Sequence, residues 1–128
     1  METSEDFVTL NQAKKLKELG FEEKCFAYFL YDDEVEIGNY MKDYNYIVGL
    51  DYISAPTLYQ AQKWLREVKG IHVYSHITSQ PELKGKHYWE ITSKNGEVLD
   101  SVPYIKLVDT YEQALSDGIT KALELVMR

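Results

Sequence analysis

Three segments of the chain share the pattern Thr-(Leu/Tyr)-x-Gln-Ala, at residues 9–13, 57–61 and 110–114. Each predicts the start of a helix, because in a capping box the Thr hydroxyl accepts a hydrogen bond from the third helical amide and the Gln side chain bonds back to the Thr amide. Apolar residues at helical spacing extend these starts to helices over residues 9–19, 57–69 and 110–126. No matching strands separate the copies, which favours independent helix starts over an internal repeat.

Glycines mark the ends of two of these helices and the middle of the third. Gly20 and Gly70 predict left-handed caps, with Phe21 and Ile71 packing back on the last turn. Gly118 lies instead in the apolar face of the third helix, where it costs about 1 kcal/mol of helix stability relative to alanine. Gly118 therefore predicts a close approach of another element to this helix.

Strand patterns occur in four segments, at residues 25–31, 71–77, 87–92 and 97–101. The first is apolar on both faces, which predicts a central strand. The second and third alternate between apolar and polar residues, which predicts half-buried strands. Asn95-Gly96 predicts a hairpin with a type I′ turn before the fourth, since both central residues of that turn need positive φ.

Residues 32–53 have the least regular pattern in the chain. An acidic stretch is followed by a Tyr-rich segment at 40–46 and by an apolar run. The pattern predicts a turn, an irregular excursion and a strand near 46–53. Long connections in compact domains are usually functional or mobile, so this segment is the likeliest place for function.

The element order predicts an α+β fold. Each helix has one apolar stripe and each half-buried strand has one apolar face, which favours two layers. We expect an antiparallel or mixed sheet of four to five strands with all three helices packed on one of its faces. At 128 residues the chain fits a single globular domain, residues 1–128.

The net charge of −7 is concentrated in the first part of the chain, where residues 1–53 hold 12 acidic residues and 5 lysines. Such a field repels phosphate backbones, so nucleic-acid binding is not expected. The best basic cluster, Lys63, Arg66 and Lys69, is typical of an exposed helix face. An alternative is that the acidic half acts as a decoy for nucleic-acid-binding proteins, which would need its carboxylates to form one continuous exposed stripe.

The single cysteine, Cys25, excludes an intramolecular disulfide, and its apolar neighbours predict a buried thiol. The chain shows no charged segment followed by an apolar run, so no signal peptide is expected, and no apolar run approaches the roughly 20 residues of a membrane span. The chain is therefore expected to be cytoplasmic, with no membrane contact.

A resemblance follows from the segment ISAPTLYQAQKWLREVKGIHV, residues 53–73. It is similar to the signature of a family of small uncharacterised proteins from gut anaerobes and their prophages. The segments around residues 10–14 and 110–114 resemble the ends of proteins in that family, whereas residues 32–52 have no counterpart. The resemblance implies a cytoplasmic accessory protein of mobile-element origin, and it implies no activity, cofactor or catalytic residue.

The three histidines do not predict a metal site. His72 and His76 are four residues apart on a predicted strand, and this spacing separates them by about 13 Å, too far to share one ion. The sequence has no glycine-rich phosphate loop, nucleophile elbow or paired cysteine ligands either. We therefore predict no metal and no cofactor.

The polar faces of the half-buried strands are the predicted binding surface. Its residues are Tyr74, His76, His87, Tyr88 and Glu90. Because an aromatic, polar sheet face lacks a catalytic set but suits recognition, the sequence favours a non-catalytic binding or regulatory module. Its partner would be another protein or a second copy of the chain. The alternative is a small enzyme that uses His76, His87, Tyr88 and Glu90 on the same face.

Overall fold

The computed structural model describes residues 6–47, 49–101 and 106–128, and in these residues the chain has an α+β fold with three helices and two antiparallel sheets of three strands each. The helices are α1 (Leu10–Glu18), α2 (Leu58–Lys69) and α3 (Tyr111–Val126). The strands are β1 (Cys25–Phe29), β2 (Glu36–Lys42), β3 (Ile53–Ser54), β4 (Ile71–Ile77), β5 (His87–Ser93) and β6 (Val98–Ser101).

The chain divides into two compact units, Met1–Tyr59 and Gln60–Arg128, and the single domain stays a prediction.

The predicted helix starts are confirmed. The Gln12 amide donates to Thr9 Oγ1 at 3.1 Å, and the Thr9 amide donates to Gln12 Oε1 at 2.8 Å, which completes a capping box at α1. At α3 the Gln113 amide donates to Thr110 Oγ1 at 3.1 Å. The end of α1 is also as predicted, because Gly20 has φ 93° and the Phe21 amide donates to the Leu16 carbonyl at 2.9 Å.

Removing the cap of α1 should lower stability measurably. We expect Thr9→Ala to lower the free energy of unfolding by about 1 kcal/mol, since it removes the hydroxyl that accepts a hydrogen bond from the Gln12 amide. Thr9→Ser keeps the hydroxyl and is the control, with an expected change below about 0.5 kcal/mol. Urea unfolding followed by circular dichroism measures both. Equal losses in the two variants would show that the hydroxyl does not stabilise the helix.

In the first unit, β1 lies between β2 and β3, so the prediction of a central strand is confirmed. The strand predicted near 46–53 is wrong over most of its length. Val48 lies outside the described residues, a 3-10 turn forms at Tyr44–Tyr46, and only Ile53–Ser54 pairs with β1.

The side chain of Asn45 explains why this segment turns instead of pairing. Its amide nitrogen donates to the Phe21 carbonyl at 2.9 Å, and its Oδ1 accepts from the Ser54 amide at 2.8 Å. The Asn45 backbone amide lies within 3.2 Å of both the Asp43 Oδ1 and the Ser54 Oγ. These side-chain bonds take the place of a regular strand ladder.

In the second unit, β5 pairs with β4 on one side and β6 on the other. The hairpin between β5 and β6 is confirmed, but its predicted turn type is wrong. Gly96 has φ 86°, whereas no non-glycine residue in the described chain has positive φ, so Asn95 is not left-handed. The Gly96 amide donates to the Ser93 carbonyl at 3.0 Å and the Ser93 amide to the Glu97 carbonyl at 2.8 Å, as in a type I turn followed by a bulge.

The expected single sheet with three helices on one face is wrong. Helix α1 contacts β3 of the first sheet, and α3 packs on β4 and β5 of the second. The predicted close approach at Gly118 is confirmed, because a Cβ atom there would lie 2.8 Å from Cγ1 of Val73 and 2.9 Å from Cβ of Trp89. Val73 and Trp89 thus identify the face of the second sheet that α3 covers.

Candidate functional site

The alternation of β4 and β5 places most of the predicted binding residues together. Side chains two apart on a strand share a face, and Val73 and Trp89 lie against α3. The opposite face therefore presents the residues between them, and Tyr74 pairs with Glu90 and His76 with Tyr88 across the two strands. We call this surface the aromatic face, and it comprises His72, Tyr74, His76, Tyr88 and Glu90.

Four rings of the aromatic face form a continuous row. The His72 and Tyr74 ring centroids are 5.9 Å apart, and the Tyr74 hydroxyl lies 3.3 Å from His72 Nδ1. Tyr74 and His76 stack at 5.7 Å with an interplanar angle of 28°. The row crosses to β5 through His76 and Tyr88, whose centroids are 5.1 Å apart. Because each ring contacts the next, the row is held in place before any partner binds.

Glu90 adds a carboxylate at the side of this row. Its Oε1 lies 3.9 Å from His76 Nε2, beyond hydrogen-bond distance but close enough for charge attraction when the imidazole is protonated. Both side chains remain about one third or more exposed, at 39 % for His76 and 33 % for Glu90. A partner could therefore reach this carboxylate.

The placement of His87 with the other four predicted residues is wrong. His87 pairs with Ile77 and shares the face of Trp89, and its ring meets Tyr111 of α3 edge-on at 6.4 Å. Its backbone bonds to Val108 through two hydrogen bonds of 2.7 and 3.0 Å. His87 therefore belongs to the packing of α3 on the sheet. His72, which was not among the five predicted binding residues, lies on the aromatic face instead.

The aromatic face is open at one end only. The Tyr74 side chain, on the open part, is 38 % exposed. Thr92 lies beyond Glu90 on the same face and is only 6 % exposed, and its Oγ1 is buried without a hydrogen-bond partner. The face is thus at least partly exposed from His72 to Tyr88 and closed at Thr92.

A small cavity adjoins the aromatic face next to Tyr88 and Glu90. Its volume is about 270 Å³, below the roughly 300 Å³ at which pockets for drug-sized ligands begin. The other lining residues are Thr78, Ser79, Gln80, Ser101 and Leu107. The lining offers hydroxyl groups and one carboxylate among its described residues, which suits a small polar molecule.

A second aromatic cluster lies in the first unit and takes two of its three rings from residues 32–53, the segment predicted as the likeliest place for function, although no individual site residue was predicted there. The rings of Tyr28, Tyr44 and Tyr52 lie 4.6 to 5.7 Å from one another beside a cavity of about 360 Å³. Burial raises the pKa of the Tyr44 hydroxyl above its usual value, and this hydroxyl donates to the Tyr40 carbonyl at 3.2 Å. The Tyr-rich composition of residues 40–46 was the available signal, but it does not show which rings meet.

The described residues contain no group of three or more His, Cys, Asp or Glu side chains placed to hold a metal ion. Within the same part of the chain, none of the helices combines the length and apolar character that crossing a bilayer requires. Comparisons with protein-family models, with curated proteins and with solved structures found no match to the chain.

Proposed function

We propose that the chain is a non-catalytic binding module that acts by contact with another protein through the aromatic face. The observation that carries this proposal is the stacked row of rings from His72 to Tyr88 on an accessible sheet face. Tyrosine is enriched at the centre of protein interfaces and among the residues that dominate binding energy.

The contacts between the rings of the row lower the entropy cost of binding a partner. A side chain that is already held by its neighbours loses less conformational entropy when a partner immobilises it. Tyr74 stacks on a histidine on each side, so its ring is oriented before contact. This preorganisation makes Tyr74 the central residue of the proposed interface.

The chemistry of the face indicates what the partner presents. Tyr74 stands directly opposite Glu90 on the neighbouring strand. An arginine side chain can stack on a tyrosine ring and pair with a carboxylate at the same time, which a lysine does less well. The proposed partner therefore offers an exposed arginine flanked by apolar residues.

The proposed cellular location and origin of the protein rest on its sequence. A single buried cysteine suits a reducing compartment, and we place the protein in the cytoplasm. The resemblance of residues 53–73 to proteins of gut anaerobes and their prophages supports an origin in a mobile element.

Truncating the central ring should remove the partner. We expect a tagged Tyr74→Ala variant, expressed in the cells that carry the gene, to recover the partner at least about tenfold less than the wild type, as for a strong interface residue. Tyr31→Ala is the matched control, because Tyr31 is 85 % exposed and lies in the first unit. Quantitative mass spectrometry of the captured proteins measures the ratio.

Circular dichroism first checks that both variants are folded. Equal recovery by the wild type and Tyr74→Ala would exclude the aromatic face as the interface. Recovery of no protein above background by the wild type would contradict the binding module itself.

A second candidate, a small enzyme, is favoured by the cavity beside Tyr88 and Glu90. Glu90 would act there as the acid or base on a small polar substrate. An NMR screen of small polar molecules separates the two candidates. Binding that shifts the signals of the cavity residues and is lost in Glu90→Gln would favour the enzyme over the protein-binding module.

A further inference from the structure

Strand β2 is an edge of the first sheet and is exposed along nearly its whole length. The sheet order is β2-β1-β3, so within the described residues one side of β2 has no strand beside it. Six of its seven residues are exposed and Gly38 is half-buried. Ile37 and Tyr40 are 62 % and 69 % exposed, which is a high exposure for two large apolar side chains of one strand.

The sequence of β2 is complementary to itself in the antiparallel direction. Its seven residues read Glu-Ile-Gly-Asn-Tyr-Met-Lys from Glu36 to Lys42. If two copies pair about Asn39, Glu36 of one faces Lys42 of the other, and Ile37 faces Met41. Opposite charges and apolar pairs directly across a ladder are the combinations that stabilise antiparallel strands.

We propose that a second copy of this chain pairs with β2 through its free edge, antiparallel and centred on Asn39. A two-fold axis through Asn39 makes each contact occur twice, as in the interfaces of most homodimers. The pairing joins two three-stranded sheets into one continuous sheet of six strands across the two copies. This surface is on a different sheet from the aromatic face and is independent of the proposed function.

The backbone of β2 is oriented for this pairing. The Tyr40 carbonyl accepts from the Tyr44 hydroxyl, so it points toward the rest of its own unit. Because backbone groups alternate in direction along a strand, those of Ile37, Asn39 and Met41 point to the free edge. These residues are paired with one another about Asn39, and their N–H and C=O groups give about six hydrogen bonds between the copies.

The neighbouring strand leaves the middle of β2 without a regular ladder. The paired residues Cys25 and Ala27 are two positions apart on β1, whereas their partners Lys42 and Ile37 are five positions apart on β2. This irregularity concerns the backbone groups that face β1, whereas those that face the free edge are the ones that gain partners when a second copy binds. The other edge, β3, is only two residues long, which stops the sheet from growing beyond the pair.

A charge-reversal cycle tests the pairing and its register. In sedimentation analysis of the full chain, Glu36→Lys and Lys42→Glu are each expected to raise the dissociation constant of the dimer about tenfold, because each places like charges across the ladder twice. The double variant Glu36→Lys/Lys42→Glu restores opposite pairs and should return the constant to within about threefold of the wild type. The control Glu97→Lys, in the turn between β5 and β6, should leave it unchanged.

Disulfide trapping provides an independent readout. Residues facing each other in a hydrogen-bonded antiparallel pair have Cα atoms about 5.5 Å apart, within the range of about 4.4 to 6.8 Å for a disulfide. Asn39→Cys should therefore form a covalent dimer under mild oxidation, whereas Lys94→Cys should not, and the native Cys25 is buried. A wild type that is monomeric throughout its soluble concentration range would overturn the proposal. So would a dimer that is insensitive to both single reversals, or a double variant as weak as the single ones.

Discussion

Replacement of Gly118 by valine is expected to lower the free energy of unfolding by about 3 kcal/mol, through overpacking between α3 and the second sheet. The first added atom alone would lie 2.8 Å from Cγ1 of Val73 and 2.9 Å from Cβ of Trp89. Neither neighbour is the free end of a long side chain. Both side chains are buried, so relief of the contact requires the helix to move away from the sheet.

Two further variants separate overpacking from helix propensity. Gly118→Ala gains about 1 kcal/mol of helix propensity but introduces the same two close contacts, so we expect it to be less stable than the wild type. Asp117→Ala, at the exposed neighbouring position, should be neutral or slightly stabilising. Urea unfolding measures all three variants. A Gly118→Ala variant that is more stable than the wild type would show that the helix and sheet part at little cost.

The contact at Gly118 was predictable because the sequence signal is local. A glycine in the apolar face of a helix is unfavourable by itself, so its position indicates a neighbour that needs the space. The helix starts were predictable for the same reason, since a capping box involves residues only three apart. Helix caps and a glycine within a helix can be recognised from segments shorter than one helix or strand.

The arrangement of the strands was not predictable in this way. Alternation shows which residues share a face but not which strand lies beside which, so one sheet and two sheets have the same sequence pattern. Strand β2 was missed because nearly all of its residues are exposed on both faces and it contains Gly38 and Asn39, both poor strand formers. Its pairing with β1 joins consecutive strands but has an irregular register, which no alternation pattern in the sequence indicates.

The candidate site was predicted in part. Alternation correctly placed Tyr74 and His76 on one face of β4, and Tyr88 and Glu90 join them on β5. The same rule excludes His87 from this face, because His87 is two positions from Trp89 on β5 and therefore shares the face that α3 covers. The burial of Thr92 could not be inferred, since alternation alone predicts the same exposure for it as for Glu90 on the same face.

Replacement of Gly38 by alanine should lower the free energy of unfolding by about 2 kcal/mol, because the new methyl group would coincide with the hydroxyl of Tyr44. The Tyr44 ring cannot move aside freely, since it is buried and packs on Tyr28 at a centroid distance of 4.6 Å. Displacing its hydroxyl also breaks the hydrogen bond to the Tyr40 carbonyl. Gly38 does not have positive φ, so alanine causes no backbone strain that could account for the loss.

A double-mutant cycle with Tyr44→Phe isolates this contact. Tyr44→Phe alone should cost about 1 kcal/mol for the lost hydrogen bond. With the hydroxyl removed, the nearest ring atom, Cζ, would lie 3.2 Å from the added Cβ, a distance that a shift of a few tenths of an ångström relieves. The double variant should therefore be nearly as stable as Tyr44→Phe, with a coupling energy above about 1 kcal/mol. Additive losses would mean that Gly38 is required for another reason, and the hydroxyl of Tyr44 would not be what excludes a side chain from this position of β2.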